Sequence, residues 1–204
     1  MIVTKIEPIT KGKYKVYVDE QFAFVLYKGE LSRFQLKEEG EIAEETVRQI
    51  KNEVLLKRAK LRAMHLLNDM FRTEDQLRQK LRQNGYPEDV TDEAIAYVKS
   101  FGYINDEAYI RNFVESRKDK KSRKELYALL SQKGVKGESV DRILDEIYEE
   151  HSDRKAIYEI LRKKRWNPEN ADDKEKQKMY GYLVRKGFRY EDIRQVIQVS
   201  FWNA

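Results

Sequence analysis

Two hydrophobic periods divide the chain. Tyr14, Val16 and Val18 alternate with Lys15, Tyr17 and Asp19, and Phe22, Phe24 and Leu26 resume that alternation after the polar pair Asp19-Glu20. A period of two marks strands with one buried face. With Ile2 to Glu7 ahead of Gly12, the first 28 residues predict a small three-stranded antiparallel meander. Such a unit is too small to be stable alone and should dock its apolar face on the chain downstream of it. After Gly29 the period changes. Gly40 separates a short segment around Leu31 to Lys37 from a helical pattern carrying Val47, Ile50, Val54, Leu61 and Met64. No proline or glycine interrupts residues 41–84, and from there to the C-terminus the period stays helical.

The helical part repeats itself. Gly85, Gly134 and Gly187 are each preceded four residues earlier by Leu81, Leu130 or Leu183, and eight earlier by Leu77, Leu126 or Met179. Tyr86, Val135 or Phe188 follows at once, and Ile95, Leu144 or Ile197 recurs at one common offset. These are three copies of one unit, spaced roughly 50 residues apart. The paired apolar positions share a helical face, and the glycine suits a C-cap that needs the left-handed conformation. Upstream, Thr73-Glu74-Asp75-Gln76 and Ser122-Arg123-Lys124-Glu125 read as capping boxes, each cap contributing about 1 kcal/mol. The third copy has a longer connection, Trp166-Asn167-Pro168-Glu169-Asn170, and a cap at Asp172. Each unit then holds a helix before the cap, the capped helix, and a third helix such as Asp92 to Phe101 or Ser139 to Glu149.

The expected fold is mainly α: three tandem three-helix repeats forming a short curved solenoid, with a small N-terminal β-meander. The expected divisions are a β-rich appendage over 1–40, a linker helix and first repeat over 41–104, a second repeat over 105–152 and a third over 153–204.

Composition narrows the chemistry. No apolar run approaches the roughly 18 residues of a membrane span. The start Met1-Ile2-Val3-Thr4-Lys5 has neither the basic head nor the apolar stretch of a signal peptide, so a cytoplasmic protein without membrane contact is expected. With no cysteine, disulfides, thiolate zinc sites, iron–sulfur clusters and cysteine nucleophiles are excluded. His65 and His151 are the two imidazoles, far apart and without a framing set of carboxylates. No phosphate-binding Gly-x-x-x-x-Gly-Lys-[Ser/Thr] loop and no Gly-x-Ser-x-Gly elbow occurs. Asp141, Asp145 and Glu149 share a helical face that a magnesium-dependent nuclease could use, but they sit in a strongly acidic stretch that reads better as a solvated or partner-facing surface. No catalytic residue, metal site or cofactor is assigned.

The net charge of +5 matters less than its distribution. Arg111, Arg117, Lys118, Lys120, Lys121, Arg123, Lys124, Lys133 and Lys136 face only Glu115, Asp119 and Glu125 between residues 111 and 136. Residues 137–153 reverse sign, and from Arg154 onward the chain is basic again, densest at Arg162-Lys163-Lys164-Arg165. Such blocks can place positive charge on one side of a repeat stack. Arg117, Lys121, Arg123 and Lys124 bracket the predicted helix start at Ser122, where the helix dipole disfavours cations by tenths of a kcal/mol each. An external anion would offset that opposition. Among the aromatics, Phe101, Tyr109, Phe113 and Phe188 fall in apolar phase and are expected in the core, while Tyr127, Tyr182 and Trp166 lie next to basic residues at the core or its rim.

The stretch Phe101-Gly102-Tyr103-Ile104-Asn105-Asp106-Glu107-Ala108-Tyr109, followed by Val114, Arg117, Lys124-Glu125-Leu126 and Gln132-Lys133-Gly134-Val135, resembles the most characteristic part of RecX proteins. The likeness covers the whole chain, and the strand-rich start is similar to that of RecX proteins from Firmicutes. Many members carry a glycine where Asp119 to Lys121 stand here. The resemblance implies a non-enzymatic, monomeric regulator, mainly an inhibitor, of the RecA recombinase. Such a protein lies in the groove of the RecA filament on single-stranded DNA and limits filament extension, strand exchange and ATP hydrolysis. Its implied partners are the RecA filament and single-stranded DNA, with double-stranded DNA bound more weakly. The candidate contacts are Arg72, Arg78 and Lys80 in the first repeat, Arg117, Lys121, Arg123, Lys124 and Lys133 in the second, and Arg162 and Arg185 in the third. The alternative is a helical-repeat DNA-binding protein acting as a transcriptional or architectural factor, because three-helix units can contain helix-turn-helix pairs. Against it, the spacing comes from tandem units of one chain rather than a two-fold dimer.

Overall fold

The computed structural model describes residues 1–148 and 152–199, and the chain divides into two compact units, Met1–Asn105 and Asp106–Ala204. Unit 1 begins with β1 (Val3–Thr10), β2 (Lys13–Val18) and β3 (Gln21–Tyr27), an antiparallel sheet in sequence order. The Asp19-Glu20 turn takes positive φ at both residues, 48° and 66°. That left-handed pair suits a two-residue hairpin. Two bonds to β1 and its edge hold it: Asp19 Oδ1 accepts from Ile2 N at 2.8 Å, and Thr4 Oγ1 accepts from Glu20 N at 3.1 Å.

The helices of unit 1 are α1 (Lys28–Arg33), α2 (Glu44–Gln49), α3 (Leu56–Asp69), α4 (Glu74–Gln83) and α5 (Glu88–Ser100). A π-helical stretch, Ile50–Leu55, joins α2 to α3 and buries Ile50, Val54 and Leu55. The short segment expected around Leu31 begins earlier, at Lys28. The sheet docks as expected: Val3, Val16, Phe24 and Leu26 share one core with Leu55, Leu77, Leu81 and Ile95. Arg58 of α3 clamps this joint, donating to Glu30 at 2.9 and 3.1 Å and to the Val25 carbonyl at 2.7 Å. Gly85 lies so close to β3 that a Cβ there would stand 2.4 Å from Val25 Cγ2.

Unit 2 holds α6 (Asp106–Glu115), α7 (Arg123–Ser131), α8 (Glu138–Ile147), α9 (Ser152–Lys164), α10 (Asp173–Arg185) and α11 (Tyr190–Val199). The three-helix pattern recurs as α3–α5, α6–α8 and α9–α11, with the first helix of each triplet packed on the third. Gly85, Gly134 and Gly187 all have positive φ, and Leu81, Leu130 and Leu183 are fully buried. The cap expected at Asp172 forms a complete box with Glu175. Two other helix starts need correction. The third helices start four residues earlier than Asp92 and one earlier than Ser139, because Pro87 and Gly137 serve as their N-caps. The box at Ser122 is only half formed: Ser122 Oγ accepts from Glu125 N at 3.0 Å, but the Glu125 carboxylate turns to Lys121 and Lys186 instead of back to the cap.

Candidate partner and nucleic-acid interface

Ion pairing decides which basic side chains remain available. In unit 1, Arg72 Nε donates to the Leu66 carbonyl at 3.1 Å and so closes the end of α3. Arg78 joins α4 to α5 through Glu74 at 3.1 Å, Glu88 at 3.4 Å and Asp92. These acids hold its guanidinium above its ordinary range, chiefly through the hydrogen bond to Asp92 and against some burial. Burial raises the Glu74 carboxyl, but Lys99 and Arg78 outweigh it and hold the group below the usual carboxylate range. Lys80 is exposed and donates to Gln83 at 3.4 Å.

The second repeat's basic cluster is partly compensated within the fold. Arg117 stacks on Phe113, 4.1 Å from the ring centroid, and donates to Ser116 Oγ at 2.6 Å. Lys121 pairs with Glu125, and Arg123 bridges to Asp145 at 2.6 Å and Asp141 at 3.6 Å. Of the four charges bracketing Ser122, Lys121 and Arg123 are thus offset by acids of the same unit. The acidic face of α8 holds this arginine. Among the described residues no group of three or more His, Cys, Asp or Glu could hold a metal ion. Glu149 and His151 lie outside the described residues, and His65 pairs with Asp69 at 3.4 Å. Lys133 sits half-buried just beyond α7.

Where the second and third repeats meet, the structure gathers Lys124 and Arg185 with two lysines that were not among the candidate contacts. Lys164 and Lys186 lie 4.4 and 6.0 Å from the Tyr182 ring centroid. Lys124, Glu125, Ala128, Tyr182, Arg185, Lys186 and Gly187 line an open cleft of about 400 Å³ here. Lys124 and Arg185 have no ion-pair partner among the described residues, whereas Arg162 pairs with Glu159 at 2.8 Å. Exposed Lys174 and Lys178 stand on the same face of α10 as Arg185, likewise unpaired among the described residues. Their i, i+4, i+11 spacing was the sequence signal for this stripe.

Most aromatics follow expectation. Phe188 is buried, Tyr109 and Phe113 pack against the second repeat's core, and Tyr127, Tyr182 and Trp166 are partly buried. Phe101 is the exception: at the C-cap of α5 it has left the buried face and is 56% exposed. The Tyr148 hydroxyl lies 3.0 Å from the Lys121 carbonyl and 2.7 Å from Asp153. Burial, then Asp153, pushes its pKa upward, and burial likewise raises Asp153.

Glycine-capped three-helix units in tandem behind a docked meander define a helical-repeat protein. Residues 59–97 match the RecX first three-helix domain and residues 152–197 the RecX third three-helix domain. Regulatory protein RecX of Caldanaerobacter subterraneus subsp. tengcongensis is 31% identical over 202 residues, covering 98% of this chain and 100% of that protein, so this chain belongs to the RecX family of regulatory proteins. The Clostridioides difficile relative of the same name is 28% identical over 202 residues, covering 96% of this chain and 94% of its own length. No helix among the described residues is long and apolar enough to cross a membrane. Two crystal structures share the fold. One, of regulatory protein RecX, has a TM-score of 0.61 at 24% identity and covers 97% of this chain and 98% of that one. RecX from Lactobacillus salivarius has a TM-score of 0.58 at 23% identity, with 71% and 96% covered.

Proposed function

We propose that this chain regulates the RecA recombinase, mainly as an inhibitor, by lying in the groove of the RecA filament on single-stranded DNA. There it limits filament extension, strand exchange and ATP hydrolysis. It acts as a cytoplasmic monomer without a cofactor, and its repeats divide near residues 104 and 152. The observation that carries this reading is the cationic group Lys124, Lys174, Lys178 and Arg185 of unit 2, which has no ion pair among the described residues, whereas Lys121, Arg123 and Arg162 nearby in sequence are paired with acids of the same unit. Uncompensated cations gain most from a polyanion, because neither partner must first give up an internal ion pair. Arg117, Lys121, Arg123, Lys133 and Arg162 take supporting places in unit 2, and Arg72, Arg78 and Lys80 make supporting contacts of their own in unit 1. RecA ATP hydrolysis on single-stranded DNA, measured against increasing amounts of this protein, tests the reading. Inhibition near stoichiometric ratios is expected; no effect there overturns it.

A further inference from the structure

Unit 1 carries an aromatic surface that its own core does not cover. Phe101 and Tyr103 flank Gly102 beyond the end of α5, with ring centroids 5.7 Å apart and an interplanar angle of 18°. The two rings are 56% and 57% exposed. Tyr97 meets Phe101 edge-on at 5.0 Å, and the Lys60 ammonium of α3 lies 4.7 Å from the Tyr97 ring centroid. An open cleft of about 550 Å³ adjoins Tyr103, lined by Met64, His65, Leu67 and Asn68. That is within the ~300–1,000 Å³ range of clefts that hold small molecules.

Two adjacent large rings left in water are unfavourable for a monomer, and such a patch marks a contact. Charge indicates the partner. Lys57 and Lys60 have no ion pair among the described residues, while His65 is paired with Asp69 and Lys99 with Glu74. Glu93, one turn before Tyr97, is the opposing carboxylate on α5. Flat ring faces with the Lys60 ammonium over Tyr97, and Lys57 one turn earlier on α3, ask for a flat, polarisable ligand that brings its own anions. A nucleobase on its phosphate backbone supplies both, and only an unpaired strand leaves base faces open.

We propose that this surface of unit 1 stacks bases of single-stranded nucleic acid, with Lys57 and Lys60 taking the adjacent phosphates. The inference rests on the function proposed above for the source of the strand, not for the chemistry. It is separate from the cationic stripe of unit 2, because its selectivity is for the base rather than the charge.

Fluorescence anisotropy with labelled oligothymidylate and with an abasic oligomer of equal length tests it on the full chain. The wild-type protein should prefer the base-bearing strand by about tenfold, the order that stacking one or two bases gives. Phe101→Leu/Tyr103→Leu, which keeps apolar bulk but removes the π faces, should bring the two affinities together; Phe101→Trp/Tyr103→Trp should widen the preference. Lys57→Ala/Lys60→Ala should weaken both strands alike and flatten the salt dependence. A wild-type protein without base preference, or a leucine variant that retains it, overturns the proposal. So does a leucine variant that loses RecA inhibition with oligonucleotide binding unchanged, since the surface would then seat a protein. Base preference without any inhibition of RecA overturns the proposed function and leaves this inference standing.

Discussion

The Ser122 hydroxyl donates to the main-chain carbonyl of Lys186 at 2.7 Å. The same oxygen accepts from Glu125 N at 3.0 Å, so one buried side chain caps the start of α7 and satisfies a carbonyl at the end of α10. The joint leaves no room beside it. A Cβ on Gly187 would stand 2.8 Å from Ser122 Oγ and 3.0 Å from Lys124 Cβ, at a φ of +92° that disfavours side chains.

Ser122→Ala should therefore lower the stability of unit 2 by about 2 kcal/mol, roughly 1 from the lost cap and 1 from the lost bond to Lys186. Ser122→Thr should recover much of it. Gly187→Ala should cost more than about 1 kcal/mol through strain and contact together. Urea unfolding of the full chain, followed by circular dichroism, reads all three; an unchanged midpoint in Ser122→Ala would show that water replaces both bonds at no cost.

The buried leucine before each glycine gives a second measurement. Leu81→Ala, Leu130→Ala and Leu183→Ala should each cost about 2–5 kcal/mol, since each removes a fully buried side chain from a separately formed core. Gly134→Val should destabilise through its positive φ of 81°. Thermal melts indistinguishable from wild type in all four variants would contradict the packing described.

The repeat was readable because its physics is local. A glycine at the C-cap, a leucine four residues earlier and a cap at Thr73 or Asp172 are each set within one helix. What the sequence left hidden depends on partners distant along the chain. Glu125 has the spacing to complete a capping box, but its carboxylate pairs with Lys121 and, joined by Lys186 from 61 positions away, turns from the cap. Arg123 and Arg185 look alike as basic residues; only folding shows that Asp145 neutralises one and nothing described neutralises the other. Phe101 has the phase of a core residue, and the end of α5 comes just in time to turn it outward.

Two carboxylates, Glu74 in unit 1 and Asp153 in unit 2, should respond oppositely to acid. In unit 1, Lys99 and Arg78 hold Glu74 below its usual range, so its stabilisation is present above the unfolded pKa of 4.5 and lost as pH falls through the folded value. In unit 2, Asp153 faces Tyr148, Asp192 and Arg189, and burial raises its pKa. The folded state then favours the protonated acid, and stability declines as pH rises from the unfolded value of 3.8 through the folded one. Arg78→Gln should shrink the loss of stability between about pH 6 and pH 4, and Asp153→Asn should raise the melting temperature at about pH 7 more than at about pH 4. Equal shifts at both pH values for Asp153→Asn would mean that this carboxylate does not titrate differently on folding.

The balance of paired and free cations also sets which repeat governs affinity for a polyanion. Lys121 and Arg123 already have carboxylate partners, so replacing them together with Arg117 and Lys124 by Ala removes two compensated charges along with two that have no ion pair among the described residues. It should cost some fold stability, because Asp141 and Asp145 lose their counter-charge and Glu125 keeps only Lys186. The triple variant Lys174→Ala/Lys178→Ala/Arg185→Ala strips three cations with no ion pair among the described residues, and should leave stability almost unchanged. Counterion release counts the charges that actually reach phosphate, lowering the salt slope by about 0.7 for each phosphate neutralisation removed from a single strand. The triple variant should therefore flatten the salt dependence of single-strand binding by about 2, and weaken RecA inhibition in parallel. The quadruple variant, with two such cations, should flatten it by about two thirds as much. If the quadruple variant instead shows the larger reduction in slope, the internal ion pairs open on binding, and the second repeat is the principal contact.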